Sequence, residues 1–291
     1  MADYILVTDS TADLPKGLID ELGITVLPLQ YITNGETFID IAEDDDKVIK
    51  DLYQKMREGA TSTTSQITLQ GFLDAFTPIL KEGKDILYVG FSSGLSGTVG
   101  QAMLASKELS EDFPDRTIKV VDTLAASLGE GMLVYYAAKL KQEGKSLEEV
   151  ADWLENNKLR QAHWFTVDDL HFLKRGGRVS PAVAIIGTVL GIKPVMHVDD
   201  EGHLIKVGTV RGRKASLDEL VKRAGATIED AENQTIFICH GDCLEDAQYV
   251  ANKAKEELKV KDVIIGYTGP VIGSHSGPGT MAIFTLGKNR D

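Results

Sequence analysis

Six hydroxyl side chains crowd into the nine residues Ala60–Thr68, ATSTTSQIT. A helix N-cap needs only one such hydroxyl, so the run reads equally as an over-provided cap or as a lip of donors that grips an anion. A second donor-rich turn, Gly90-Phe91-Ser92-Ser93-Gly94-Leu95-Ser96-Gly97-Thr98, follows an apolar strand and leads into a helix. Unpaired N–H groups at a helix start favour anions. No lysine follows these glycines at the spacing of a phosphate-binding P-loop. The turn does match G-x-S-x-G from Gly90 to Gly94, the pattern of a strand–turn–helix nucleophile elbow. That alternative makes Ser92 a serine hydrolase nucleophile, with Asp122 as acid and His275 as base in the chain order Ser…Asp…His. His275 itself sits in Gly273-Ser274-His275-Ser276-Gly277-Pro278-Gly279, whose composition predicts a tight loop and a histidine facing a ligand. Cys239, His240, Asp242 and Cys243 bring two thiols to one strand end, but no second ligand pair accompanies them, so no metal is expected.

Two basic segments interrupt an acidic chain, Lys174-Arg175-Gly176-Gly177-Arg178 and Arg211-Gly212-Arg213-Lys214. Each is a solvated loop or a patch that faces an anion or a partner. The stretch Pro181–Ile192, PAVAIIGTVLGI, is apolar on nearly every side of a helix; Ile185, Ile186, Val189 and Leu190 are thereby either core or the wall of an apolar cavity.

The elements that must position these groups alternate. Strands are predicted at Tyr4–Thr8, Ile24–Leu29, Ile86–Phe91 and Ile118–Asp122. Helices are predicted near Leu14–Leu22, from Glu43–Asp46 to about Glu58, from about Leu69, and over Val99–Leu109. This alternation predicts an α/β domain, a mostly parallel sheet with helices on both faces and ligands beyond the strands' carboxyl ends. From about Leu159 the chain reads as α+β. Strands fall at Ala162–Val167, Leu204–Val210, Thr235–His240, Val263–Thr268 and Met281–Leu286, with helices at Pro181–Gly191, Lys214–Ala224 and Leu244–Leu258. Two domains are expected, 1–158 and 159–291, with Ser146 and Glu149 as a capping box just before the boundary. The 291 residues are 43% hydrophobic and 26% charged, and 31 Lys+Arg against 44 Asp+Glu leave a net charge of −13. That charge opposes nucleic-acid binding, and no segment is long and apolar enough to span a membrane. No basic leader segment begins the chain, so a cytoplasmic protein is expected.

Five motifs occur in order and at fitting intervals: Asp9-Ser10-Thr11, Thr64-Ser65-Gln66, Ser92 to Thr98, Gly176-Gly177-Arg178-Val179-Ser180, and His275-x-Gly277-Pro278-Gly279. Together they resemble the DegV family of fatty acid-binding proteins, which includes the binding subunit of bacterial fatty acid kinase. The resemblance covers essentially the whole chain. It implies one long-chain fatty acid held between two domains, no other cofactor, no catalytic residues in this chain, and a separate kinase subunit that phosphorylates the bound carboxylate to an acyl phosphate for phospholipid metabolism. It places the carboxylate on Thr64 and Ser93, with Ser65, Ser92 and His275 close by. It makes Arg178 and Arg211 candidates for kinase docking or for stabilising phosphate, and leaves any membrane contact transient. The chain departs from the family pattern at Ile67-Thr68, where T-S-Q is usually followed by proline; the preset φ is lost, while the hydroxyls remain. The physics of such a ligand agrees with the residues. A buried carboxylate needs donors, and a tail of about fifteen methylenes gives a gross ~12 kcal/mol on burial before ordering costs.

Overall fold

The computed structural model describes residues 4–41, 46–180 and 191–291. The first half builds a parallel sheet in the order β2-β1-β6-β7 from β1 (Tyr4–Asp9), β2 (Thr25–Leu27), β6 (Asp85–Gly90) and β7 (Ile118–Asp122). The period of two along these strands decides the two cores. Leu6, Leu87 and Val89 face one side, while Val7, Ile86 and Tyr88 face the other. On the second side α3 (Leu69–Lys81) and α4 (Thr98–Asp112) pack Phe72, Phe76, Val99 and Ala102 against the sheet.

The second half builds a six-stranded mixed sheet, β10-β9-β8-β13-β11-β12. Its strands are β8 (Gln161–Thr166), β9 (Ile192–Val198), β10 (Leu204–Arg211), β11 (Thr235–His240), β12 (Asp262–Tyr267) and β13 (Met281–Leu286). Only the β11–β12 pair is parallel. One face, with Trp164, Ile236, Ile238 and Ile283, is covered by α8 (Arg213–Thr227) and α9 (Leu244–Leu258). The other face, with Phe165, Phe237 and Phe284, shares a core with the parallel sheet. Between them runs α5 (Leu128–Gln142), buried from Leu128 through Val134, which is why its sequence is apolar nearly all round. The α/β and α+β architectures are thus those the alternation predicts, fused through one helix. After α5, α6 (Leu147–Asn157) opens with the expected Ser146–Glu149 capping box.

Three departures matter for the site. The expected strand Ile24–Leu29 ends at Leu27, and after Pro28 the chain starts a third, antiparallel sheet, β4-β3-β5. It comprises β3 (Leu29–Thr33), β4 (Glu36–Asp40) and β5 (Ser62–Ser65). Asn34 and Gly35, both at positive φ, make the β3–β4 turn. The hydroxyl run is therefore a strand edge, and within it Thr68 alone caps α3, accepting from the Gly71 N–H. The loop expected around His275 is instead α10 (Pro270–Ser276), with the histidine in its last turn. The short helices α1 (Lys16–Leu22) and α7 (Leu170–Arg175) complete the frame together with α2 (Asp46–Arg57). The tail-wall residues Ile185, Ile186, Val189 and Leu190, with most of their expected helix, lie outside the described residues. No helix among the described residues is long and apolar enough to cross a membrane.

Candidate functional site

A cavity of about 400 Å³ opens where the two large sheets and the small one meet, a volume in the range of small-ligand sites. Its polar wall is assembled from four separate segments. Strand β5 alternates, so Ser62 and Thr64 share a face. Ser62 Oγ bonds Thr33 Oγ1 at 2.9 Å and accepts from Ser274 Oγ at 2.7 Å, which pins the small sheet to α10. Two residues along β5, Thr64 Oγ1 meets Nε2 of the next helix residue, His275, at 2.8 Å. His275 Nδ1 is buried with no hydrogen-bond partner. It lies against Gly176, where any Cβ would overlap the ring nitrogen. Burial, and then the Arg178 guanidinium, push the His275 pKa down to about 4, so the ring is neutral at pH 7.

Arg178 completes the cluster. Its Nε donates to Leu95 O at 3.2 Å and its guanidinium also donates to Gly176 O. The side chain is half-buried on the cavity wall, and burial lowers its pKa. Among the described residues it has no carboxylate within ion-pair distance. Ser65, Gln66, Ser96 and Gly97 line the same cavity, and Phe91, Leu95, Phe165, Leu173, Leu204 and Ile272 supply apolar wall. A cation facing this cavity, flanked by hydroxyl and imidazole groups and apolar surface, suits an anionic head on an apolar body.

The sequence expectations divide here. Thr64, Ser65 and His275 come together on the wall. Ser92 and Ser93 do not join them. Ser92 is fully buried, its Oγ donating to Gly202 O at 2.9 Å and accepting from the Gly94 N–H at 3.1 Å. Ser93 is exposed off the cavity, its backbone N–H donating to Asp122 Oδ1 at 3.2 Å. Ser92 fastens the turn to the β9–β10 hairpin and Ser93 ties it to the end of β7, and Ser96 and Gly97 are the part of the motif that reaches the cavity. The serine hydrolase alternative fails on the same contacts. Ser92 is engaged with a carbonyl, and the His275 Nε2 that would deprotonate it bonds Thr64 instead. Arg178 faces the cavity and not an outer docking surface, whereas Arg211 is exposed at the end of β10. Its neighbour Arg213 is held by Asp246 at 2.7 Å and Asp168 at 3.5 Å. Cys243 donates its N–H to His240 Nδ1 and its thiol to Thr280 O. No three His, Cys, Asp or Glu are grouped to hold a metal among the described residues. Phe91, Leu173 and Ile272 were not anticipated on the cavity wall, since nothing in their local sequence separates a cavity-facing apolar residue from a core one.

Comparison with known proteins agrees with this architecture. The model of the uncharacterised DegV protein family matches residues 4–288. A DegV domain-containing protein of Clostridium perfringens is 46% identical over 291 residues, covering 100% of both chains. The structure described as fatty acid binding of a DegV family protein from Thermus thermophilus superposes with a TM-score of 0.87 at 36% identity, covering 98% of this chain and 99% of that one. A DegV lipid-binding protein from Thermotoga maritima gives a TM-score of 0.87 at 29% identity, with 100% of each chain covered. By its motifs, its fold and these relatives, the chain belongs to the DegV family.

Proposed function

We propose that this protein binds one long-chain fatty acid in the 400 Å³ cavity and presents its carboxylate to a separate fatty acid kinase, which forms the acyl phosphate. The observation that carries the reading is Arg178, a half-buried cation without a carboxylate partner among the described residues, facing an otherwise largely apolar cavity beside the Thr64–His275 pair. The fatty acid-binding descriptions of the Thermus and Thermotoga relatives support it. Neutral His275 serves the same end. With Nε2 protonated, the ring donates to Thr64 Oγ1, and the threonine keeps its single O–H for the carboxylate. Ser65 and Ser96 add hydroxyls at the same wall, and the Gly97 edge lies at the start of α4, where an anion is favoured. The chain supplies binding and orientation, and the chemistry belongs to the kinase. Arg211, exposed and away from the cavity, is the remaining candidate for contact with that partner.

The test is a titration of the delipidated protein with palmitate and with the corresponding fatty alcohol. The acid should bind at least about tenfold more tightly, since a hydrogen bond to a charged group contributes about 1.5–3 kcal/mol. Equal affinities would refute a carboxylate site at Arg178. For the presentation step, a fatty acid kinase with ATP should form acyl phosphate only when this protein is present, read as the hydroxamate; formation independent of it would refute the partnership.

A further inference from the structure

One imidazole stands in the cavity wall apart from the Thr64–His275–Arg178 cluster. His163 lies in β8, where the period of two puts it on the same face as Phe165, and both residues line the cavity. It stands on the six-stranded sheet, whereas Thr64 is on the small sheet and His275 on α10. The residue is 4% exposed, and its ring packs against Phe165 and Phe284, with centroids 5.6 and 4.4 Å away. Its Nδ1 is buried without a hydrogen-bond partner. Nε2 is therefore the ring nitrogen left to the cavity, and among the described residues no hydrogen bond reaches it. His197 Nδ1 bonds the His163 backbone carbonyl at 3.1 Å and not the ring. Burial lowers the His163 pKa well below the usual 6.5, and His197 and Arg290 add to the effect, so the ring is neutral at pH 7.

Other buried polar groups near the cavity have company that His163 lacks. Ser276, whose Oγ has no partner, sits beside His275 at the head-group end. Thr268 stands by the Cys239 thiol. Gln161, two residues back on the same face of β8, packs against Gly129 and Phe284 and does not line the cavity. The aromatic neighbours of His163 offer its ring no hydrogen bond, and a chain of methylenes laid against it would offer none either. A buried polar group left without a partner is costly.

We propose that His163 is a specificity residue for the tail, hydrogen-bonding an oxygen carried on the chain, so that the cavity prefers hydroxylated long-chain fatty acids to their plain parents. This role rests on the fatty acid reading of the cavity. A neutral imidazole nitrogen either donates or accepts, and a hydroxyl does both, so it matches Nε2 in either tautomer. A site built to hydrogen-bond a ligand hydroxyl disfavours the analogue that lacks it, because the site's own buried group then stays unpaired.

The probes are 10-hydroxystearate, 12-hydroxystearate and 16-hydroxypalmitate, with stearate and palmitate as parents, each displacing a fluorescent fatty acid from the delipidated full-length protein. At least one hydroxy acid should bind at least about fivefold more tightly than its parent. His163→Phe keeps a planar ring of similar size and removes both nitrogens, and it should bring that preference to parity or below. The thermal melt shows whether the variant is folded; if it is not, His163→Leu takes its place. A preference that survives in a folded variant, or no hydroxy acid favoured by the native protein, overturns the proposal. Binding of the parents alone overturns this role of His163 and leaves the fatty acid reading standing, whereas binding of none of the five acids overturns both.

Discussion

Replacing Thr64 by valine removes one hydroxyl and almost nothing else. Valine is nearly isosteric and β-branched, and Thr64 sits in β5 opposite Tyr31, so the strand is retained. Two contacts are lost. The 2.8 Å bond to His275 Nε2 disappears, leaving a buried ring nitrogen unpartnered at a cost of about 1–3 kcal/mol of stability. The hydroxyl that faces the proposed carboxylate disappears too, and a hydrogen bond to a charged group is worth about 1.5–3 kcal/mol, or roughly 10- to 150-fold in affinity. Displacement of a fluorescent fatty acid from delipidated protein measures the second effect, and chemical denaturation the first. Thr64→Ser, which restores the hydroxyl, should recover binding to within about threefold. The fatty alcohol should bind Thr64→Val and the native protein alike, because it has no charge to lose. A Thr64→Val protein that binds palmitate with native affinity would refute the assignment of the head group to this cluster, even if its stability falls as expected.

Other consequences follow from single contacts. Gly176→Ala puts a methyl into the space of His275 Nδ1 at an ordinary φ of −71°, so it should weaken fatty acid binding at least about tenfold through displacement of the ring; native affinity would show that the imidazole is not part of the site. Ser93→Ala, exposed and off the cavity, should leave affinity within about twofold, and a larger loss would return the carboxylate to Ser93. A fluorophosphonate probe should leave Ser92 unlabelled, since its hydroxyl is buried on Gly202 O; covalent labelling would revive the hydrolase. Asp40, whose folded pKa is pushed by burial to about 7 from an ordinary 3.8, binds its proton more tightly when folded. The stability this contributes is complete below about pH 4 and is lost as pH rises through 7, by at most roughly 4 kcal/mol. Asp40→Asn should therefore gain stability over the native protein from pH 4 to pH 8 in urea melts, and a pH-independent difference would contradict the raised pKa.

The parallel sheet and most of the second sheet were legible because buried strands are continuous apolar runs bounded by turn residues. Thr235–His240 and Met281–Leu286 fall where the pattern puts them. The small sheet was not legible. LQYIT, the central strand, and ETFID, an edge strand, mix polar and apolar residues, and their one clear signal was the Asn34-Gly35 turn. Strand β9 was masked by the apolar stretch before it, which reads as a helix running through Gly191. At the site, motif order singled out Thr64 and His275, which the fold brings together on one cavity wall. It could not choose among Ser92, Ser93 and Ser96, because the outcome depends on which hydroxyl the distant Gly202 carbonyl engages. Nor could it tell that Arg178 points inward, since that depends on Leu95 O and Gly176 O folding over to receive it. Local sequence carries strands, caps and turns; contacts between residues a hundred positions apart decide which donors face a ligand.

Native mass spectrometry of the purified protein, followed by denaturing extraction and identification of what is released, tests the central claim most directly. The account predicts one long-chain fatty acid per chain, or its stoichiometric uptake when palmitate is added to delipidated protein. A protein that carries no fatty acid and takes up none would contradict it.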